Sequence, residues 1–175
     1  LHALTQRPMD MYHSWGSQNA WLRQIRGMNY LYPPTKVWQS NGFQAGDYAR
    51  VSSRNGTIVV PVAHMAALNE HTVWTWNAIG KRAGAWMLSP DAAEAERGFL
   101  LNHVISEWLP AQTGPRLANA DPITGQAAWY DLRVNIKKCA AGEEGITAPH
   151  PSALKPPPKM PEPPDILRFN AGDKK

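Results

Sequence analysis

The chain has 175 residues, 43% hydrophobic and 18% charged, which is enough for about one domain with a single core. Its formal net charge is +4 at pH 7, and no cluster of Lys and Arg interleaved with aromatic residues precedes residue 146, so we expect no nucleic-acid partner. No run of about 18 apolar residues occurs, and a single cysteine, Cys139, excludes a disulfide scaffold within the chain.

The N-terminal segment has the composition of a ligand loop. Its first eight residues lack the basic start and apolar centre of a signal peptide, and no Met begins the chain, so we expect it to be a piece of a longer protein. Residues 12–19, Tyr-His-Ser-Trp-Gly-Ser-Gln-Asn, gather hydroxyl, amide and imidazole groups around a glycine. Such groups can bind a polar heterocycle, but on residue types alone a polar loop with satisfied local hydrogen bonds is favoured. Residues 14–25 fit a helix or a loop equally well.

Residues 1–80 are rich in strand patterns. Asn55-Gly56 predicts a hairpin whose turn residues adopt positive φ. Pro61 cannot donate a backbone hydrogen bond and therefore places its strand at a sheet edge or a bulge. Trp74 and Trp76 would share one face of a strand, where core packing is favoured over ligand stacking. The predicted strands are 37–40, 48–53, 57–62 and 71–76.

The second half begins with a helix signal. Ser89 and Pro90, followed by acidic residues, are typical of an N-cap and a first helical turn. Apolar residues then recur at helical spacing. We predict a helix over 90–109 with a break at Gly98, and a last strand over 127–136.

The end of the chain is dense in proline. Proline removes a backbone donor and fixes φ, which favours polyproline II and excludes a central strand. We therefore divide the chain into a folded domain, residues 1–145, and a Pro-rich tail, residues 146–175, that is extended or disordered. The apolar Ile-Leu-Arg-Phe stretch at 166–169 leaves open a second interpretation, an arm that binds a partner.

Local signatures of catalysis are missing. The six histidines have no metal-site spacing, Ser14 and Ser17 lie in no Gly-x-Ser-x-Gly turn, and no phosphate-binding glycine loop occurs. We therefore predict no catalytic residue and no metal ligand in this chain, and an inert structural thiol at Cys139. Two further polar, glycine-bearing loops, residues 76–80 and 119–126, follow β segments, so three loops are candidates for one ligand.

An ordered set of short motifs runs through residues 1–137: Leu4-Thr5-Gln6-Arg7, Tyr12-His13-Ser14, Gln18-Asn19, the Gly46-Asp47 turn with the strand after it, Thr72-Val73-Trp74, and Asn119 with Asp121-Pro122-Ile123-Thr124-Gly125-Gln126. This order resembles the C-terminal dinucleotide-binding domain of the molybdopterin oxidoreductases, the dimethyl sulfoxide reductase superfamily. Within it, the chain is most similar to catalytic subunits of sulfite-oxidising and polysulfide- or thiosulfate-reducing enzymes.

The resemblance implies a mainly β fold, a double-psi β-barrel of six main strands with one or two added helices. It implies a domain that holds the molybdopterin guanine dinucleotide (Mo-bis-MGD) of a molybdenum centre, which oxidises or reduces a small sulfur oxyanion by two electrons. The chain alone is not expected to be catalytic, because the metal's protein ligand and a 4Fe-4S cluster would belong to a missing N-terminal part. The alternative is a stand-alone β-barrel module that binds a nucleotide or assembles subunits, without a redox role.

The resemblance also implies a site and partners. The protein partners would be the rest of the catalytic subunit, an iron–sulfur electron-transfer subunit, plus a membrane anchor subunit; the remaining partner would be a small-molecule substrate. The location would be cytoplasmic, with membrane association through partner subunits, or alternatively periplasmic; molybdenum and tungsten stay open. The implied cofactor-binding residues are His13, Ser14, Ser17, Gln18, Asn19, Trp76, Asn77, Asn102, Asn119 and Gln126, with His103 beside Asn102.

Overall fold

The computed structural model describes residues 1–16, 19–77, 79, 98–105, 120–121, 123–127 and 132–147. This part of the chain is mainly β with few helices, as predicted. None of its helices is long and apolar enough to cross a membrane. Its elements are β1 (His2–Gln6), α1 (His13–Gly16), α2 (Ala20–Ile25), β2 (Leu31–Tyr32), α3 (Thr35–Ser40), β3 (Tyr48–Ser52), β4 (Thr57–Pro61), β5 (Thr72–Trp76), a 3-10 turn (Leu101–Val104) and β6 (Asn135–Lys138).

The strands form two three-stranded sheets. One has the order β1-β5-β2, with β1 and β5 parallel, and the other has the antiparallel order β4-β3-β6. Single bridges join the sheets at both pairs of edges, from Leu31 to Val62 and from His2 to Arg133. Followed through these two single bridges, the six strands have the circular order β1-β5-β2-β4-β3-β6. Within the described residues no closed barrel forms, so the double-psi β-barrel stays a prediction.

Both sheets contribute side chains to one core. Val51, Val60 and Val73 are fully buried in it, at every second position of their strands, as a pleated strand with one inner face requires. Trp74 and Trp76 alternate with the buried residues of β5 and are only half-buried on the opposite face. The expectation that these two indoles pack in the core is therefore wrong, because Val73 and Thr75 occupy the inner face of β5.

The hairpin predicted at Asn55-Gly56 is present, but its turn is built differently. β3 and β4 pair antiparallel, and the Ser53 N–H donates to the Gly56 carbonyl at 2.9 Å. Arg54 and Asn55 are thus the central residues of the turn. Neither Asn55 nor Gly56 adopts a positive φ, so the predicted reason for the turn is wrong although the hairpin itself is confirmed.

Side-chain contacts hold the hairpin turn in place. The Ser53 hydroxyl accepts from the Asn55 N–H at 2.9 Å and donates to the Val104 carbonyl at 2.6 Å. The Asn55 side-chain amide donates to the same carbonyl at 3.3 Å. Gly56 is required by close approach, since a Cβ there would lie 2.4 Å from the His103 carbonyl oxygen. The turn is therefore fixed by packing against the 3-10 turn.

Pro61 is the last residue of β4, which is the edge strand of its sheet in the order β4-β3-β6. This position agrees with the prediction that a residue without an N–H must lie at an edge. The next residue, Val62, donates its N–H to the Asp47 carbonyl and bridges to β2. The end of β4 therefore marks the place where the chain passes from one sheet to the other.

The strand prediction for residues 37–40 is wrong, because they lie in helix α3. The helix ends in a Schellman motif, in which Gly42 has φ 63° and donates to the Gln39 carbonyl while Phe43 donates to the Trp38 carbonyl. The Phe43 ring packs on Trp38 with centroids 5.6 Å apart. The Asn-Gly pair that follows Ser40 is the stop signal that identifies a helix here.

The helix predicted over 90–109 is not continuous. Leu100 is extended, with φ −108° and ψ 116°, and a single 3-10 turn follows it. Three of the four residues of that turn are buried, so packing on the neighbouring hairpin outweighs helical periodicity. The remainder of the predicted range, 90–97 and 106–109, lies outside the described residues.

The last strand lies further along the chain than the predicted range 127–136. β6 pairs with β3 from residue 135 to residue 138, whereas Ala127 makes only an isolated bridge to Ala120. Ile136 is the buried residue of β6 and its neighbours are exposed, as expected for a strand with one inner face. Residues 128–131 lie outside the described part of the chain.

The first two residues of the predicted tail contact the folded part. The Thr147 N–H donates to the Val59 carbonyl at 2.9 Å, and the Val59 N–H donates to the Thr147 hydroxyl at 2.8 Å. Ile146 packs against the core. The rest of the tail, residues 148–175, lies outside the described residues, so the division at 145 and 146 stays a prediction.

Candidate functional site

Two of the three predicted ligand loops begin side by side. β1 and β5 are parallel neighbours with Gln6 opposite Trp76, and the Asn77 N–H donates to the Gln6 carbonyl at 2.8 Å. The carboxyl ends of parallel neighbours lie at the same end of a sheet, which is where ligands commonly bind in sheets of parallel strands. The loop after β1 and the loop after β5 therefore start at one place.

An arginine connects the loop after β1 to the end of β5. The Arg26 Nε–H lies 3.1 Å from both carboxylate oxygens of Asp10, and the guanidinium lies 4.4 Å from the centroid of the Trp76 ring. The Arg26 and Asp10 side chains are 27% and 15% exposed, so their pairing is only partly screened by water. Sequence reasoning misses Arg26, because neither partner is close to it along the chain.

A buried asparagine fixes the backbone at the end of β5. Asn29 is 1% exposed, its amide donates to the Trp76 carbonyl at 2.8 Å, and its carbonyl accepts from the Thr75 hydroxyl at 3.2 Å. The Thr75 hydroxyl also lies 2.9 Å from the Tyr30 carbonyl. Asn29 is a second residue that sequence reasoning misses, since its partners lie 46 and 47 positions further along.

Two polar atoms at the end of β5 are buried without a hydrogen-bond partner among the described residues. They are the indole Nε1 of Trp76 and the side-chain oxygen Oδ1 of Asn77. A buried polar group without a partner costs about 1–3 kcal/mol. An unpaired donor and an unpaired acceptor on two successive residues are therefore candidates for contacts with a ligand.

Residues of the first loop take distinct positions. His13 has φ 48°, uncommon for a residue with a Cβ, and its ring contacts Tyr12 edge-on at 5.2 Å. Asn19 is the N-cap of α2, and its side-chain oxygen accepts from the Trp21 N–H at 3.0 Å. That oxygen is engaged, while the amide NH₂ of this exposed residue has no hydrogen bond to another described residue. The structure describes only the backbone of Ser14, and Ser17 and Gln18 lie outside the described residues.

The third predicted loop is organised by its own hydrogen bonds. The Asp121 carboxylate accepts from the N–H groups of Thr124 and Ile123 and from the Thr124 hydroxyl, and these bonds hold the pKa of Asp121 below its ordinary value. Gln126 is exposed, and its carbonyl accepts from the Asp121 N–H at 2.8 Å. Asn119 lies outside the described residues. That this loop joins the other two stays a prediction.

Asn102 lies apart from the ends of β1 and β5. It is exposed in the 3-10 turn, which packs on the β3–β4 hairpin. Ser53 of that hairpin lines a cavity of about 420 Å³ together with Leu1, next to the start of β1. Trp76 lies at the other end of β1, and a strand of five residues is about 13 Å long. The structure therefore does not bring Asn102 to Trp76.

The environment of the cysteine does not favour reaction. Cys139 is buried after β6, and burial raises the pKa of its thiol above the ordinary value, so it is protonated at neutral pH. Within the described ranges, no three His, Cys, Asp or Glu side chains come together in a way that could hold a metal ion. The burial of Cys139 and the raised pKa of its thiol agree with its interpretation as a structural thiol.

We expect Arg26→Gln to lower the free energy of unfolding by about 1 kcal/mol, because it removes both the pairing with Asp10 and the contact with Trp76. Denaturation in urea measures the change. Arg54→Gln is the matched control, since Arg54 is exposed and has no ion pair among the described residues. Equal effects of the two substitutions would contradict a connecting role for Arg26.

Comparison with known proteins finds a relative that matches most of this chain but only a small part of its own length. The protein is 56% identical over 162 residues to the A subunit of sulfite dehydrogenase from Allochromatium vinosum; the match covers 92% of this chain and 16% of that protein. Among solved structures, acetylene hydratase from Pelobacter acetylenicus matches 45% of this chain and 11% of its own, with 22% identity and a TM-score of 0.40. No protein-family model matches. Over most of its length the chain is thus a homologue of one part of a sulfite dehydrogenase subunit, and it spans 16% of that relative's length.

Proposed function

We propose that this chain is the cofactor-binding domain of the catalytic subunit of a molybdenum oxidoreductase acting on a small sulfur oxyanion. The observation that carries the proposal is the 56% identity to the sulfite dehydrogenase subunit over 92% of the chain. Adjacent loop starts at the ends of β1 and β5 support a ligand site there. When bound, a pterin guanine dinucleotide would supply the metal for two-electron chemistry, and the residues of this chain would bind and orient its organic part.

In the proposed fold the six strands form a double-psi β-barrel. Their order around a ring supports this architecture, since each sheet edge is bridged to an edge of the other sheet. The parallel pairing of β1 with β5 also supports it, because it joins strands 70 positions apart in the chain.

The residues at the end of β5 fit such a cofactor. A pterin or guanine ring offers N–H donors and ring or carbonyl acceptors along one edge, and the unpaired Trp76 indole N–H and Asn77 carbonyl oxygen offer the complementary groups. The formal net charge of +4 suits a ligand that contains a pyrophosphate. In the proposal, the Asn19 amide and His13 bind from the first loop. The further binding residues would be Ser14, Ser17, Gln18, Asn119 and Gln126.

The proposal places the metal's protein ligand and a 4Fe-4S cluster in the remainder of a longer polypeptide. Two further subunits would complete the complex, one with iron–sulfur clusters for electron transfer and one that anchors it in the membrane. The complex would lie on the cytoplasmic side of the membrane or, alternatively, in the periplasm. The relative is named as a subunit, which supports an assembly of several chains.

Assembly with other subunits is a second candidate function, and it is compatible with the first. Large apolar side chains around the first loop are exposed to an unusual extent, with Met9 fully exposed and Trp21 at 75%. Exposed apolar side chains of this size are typical of surfaces that contact another polypeptide. The first loop would then be covered in the intact protein.

The substitution Asn77→Ala, made in the full-length protein that contains this chain, tests the proposal. We expect at least about a fivefold loss of bound cofactor, because one buried hydrogen bond of about 1 kcal/mol or more is removed. Molybdenum per protein and GMP released by acid hydrolysis measure the cofactor, and sulfite-dependent dye reduction measures activity. Asn135→Ala, at an exposed position of β6, is the control. Full cofactor content and activity in Asn77→Ala would refute this site.

The 175-residue chain alone should not oxidise sulfite. In the proposal the ligand of the metal lies elsewhere in the polypeptide, so the chain cannot form a complete redox centre. Dye reduction by the purified chain, after addition of molybdenum cofactor, should equal the rate without protein. Turnover above that rate would show that the chemistry resides in these residues.

A further inference from the structure

Three aromatic rings form a row on the outer face of the β1-β5-β2 sheet. Tyr32 and Trp74 have ring centroids 5.0 Å apart, and Trp74 and Trp76 have centroids 4.3 Å apart. All three side chains are half-buried, so part of each ring is open to solvent. We call Tyr32, Trp74 and Trp76 the aromatic row. It is held in place, since the Trp74 indole donates to the Gln6 side chain at 3.1 Å.

A shallow cavity of about 550 Å³ borders the aromatic row. Tyr32 and Arg26 belong to its wall, and Tyr30 and Met28 complete an aromatic and apolar side. Grooves lined by aromatic rings are suited to proline-rich peptides, because proline rings pack against exposed aromatic surface and a polyproline II backbone keeps its carbonyls free for hydrogen bonds. The combined surface therefore has the chemistry of a polyproline-binding groove.

We propose that the aromatic row and this cavity bind the proline-rich segment 149–164 of the same chain in the polyproline II conformation. The segment contains eight of the 16 prolines of the protein, including three in succession at 156–158. A polyproline II segment is already extended before it binds, so it loses little conformational entropy. The chain therefore contains both a proline-rich segment and an aromatic surface whose chemistry suits it.

The last described contacts of the chain place this segment within reach. Thr147 is hydrogen-bonded to Val59 of β4. From Val59 to Val62, across the bridge to Leu31 and on to Tyr32, the path is on the order of 20 Å. Seven residues of polyproline II, at about 3.1 Å each, cover that distance. The three successive prolines begin nine positions after Thr147 and therefore reach the row with residues to spare.

The inference does not depend on the proposed cofactor role. Tyr32 and Trp74 are not among the candidate cofactor residues, and only the ring of Trp76 lies at the end shared with the candidate site. A failure of the cofactor proposal would be seen in molybdenum and GMP content, whereas this inference is tested by the position of the tail.

Paramagnetic relaxation in the 175-residue chain tests the inference. A nitroxide is attached to Met160→Cys in a Cys139→Ser background, and the ¹⁵N-labelled protein is observed by NMR. We expect loss of the Trp74 indole N–H and Tyr32 amide signals, while the Lys137 amide on β6 keeps its intensity. In the same protein with Pro156, Pro157 and Pro158 replaced by alanine, the lost signals should return, and these tail substitutions leave the core unchanged.

Three results would overturn the inference. The first is sharp Trp74 and Tyr32 signals in the labelled chain. The second is undiminished broadening in the alanine variant, which would mean that proline is not what the row recognises. The third is equal broadening in a mixture of nitroxide-free ¹⁵N protein with nitroxide-labelled unenriched protein, which would assign the segment to a second copy.

Discussion

Gly56→Ala should lower the free energy of unfolding by about 2–3 kcal/mol, although its backbone conformation is open to any residue. The added Cβ would lie 2.4 Å from the His103 carbonyl oxygen. That oxygen cannot move freely, because the next carbonyl, of Val104, accepts hydrogen bonds from Ser53 and Asn55 of the same hairpin. The hairpin and the 3-10 turn must therefore separate, and thermal or urea denaturation measures the loss.

Gly42→Ala is the matched control for this effect. Gly42 has φ 63° and an added Cβ would meet nothing within 4 Å, so the substitution introduces backbone strain without a clash, at a cost of about 1 kcal/mol. A larger loss for Gly42→Ala than for Gly56→Ala would show that conformation, and not close approach, determines which glycines the fold requires.

Asn29→Leu should also cost about 2–3 kcal/mol. The substitution removes the 2.8 Å donor of the Trp76 carbonyl and leaves it only the Thr75 hydroxyl at 3.4 Å, and this weakened pairing contributes most of the loss. Urea denaturation of the variant measures it. Asn135→Leu, at an exposed position, should change stability by less than about 0.5 kcal/mol. Near-wild-type stability of Asn29→Leu would contradict the view that Asn29 fixes the end of β5.

Asn29→Asp separates hydrogen bonding from shape. The carboxylate has the shape of the amide but cannot donate to the Trp76 carbonyl, and its charge is buried. Burial raises the pKa of such a group in the folded state, so the variant should recover part of its stability as the pH falls and the carboxyl becomes a neutral donor. A stability difference from wild type that stays constant between neutral and acidic pH would contradict this reasoning.

Elements with a local signal can be predicted from the sequence. The strands on both sides of Asn55-Gly56 and the strand ending at Trp76 show period-2 alternation within a few residues, and all are present in the structure. Residues 37–40 are predicted as a strand although they are helical. In the prediction, a β-branched and an aromatic residue outweigh the Asn-Gly stop signal that follows them. The role of Gly56 cannot be predicted, since the segment that approaches it lies 47 positions further along the chain.

The residues of the candidate site also fall into those that a local sequence pattern marks and those that no local pattern marks. Trp76 and Asn77 can be proposed because they follow a recognisable strand, and the structure places them where two loops begin. Arg26 and Asn29 cannot, because their partners lie 16 to 50 positions away and no local pattern marks them. Asn19 shows a different difficulty, since the side chains that bind ligands are also those that cap helices.

The pairing of β1 has a consequence for how the protein is made. β1 lies between β5, which follows it by about 70 positions, and residues 132–134, which follow by about 130. The β3–β4 hairpin, in contrast, closes within 14 residues. At a synthesis rate of about 5–20 residues per second, β1 emerges on the order of ten seconds before its last neighbour exists. Among the six strands, the first to leave the ribosome therefore waits longest for its last neighbour, and its apolar residues stay exposed to chaperones and to other nascent chains for that interval.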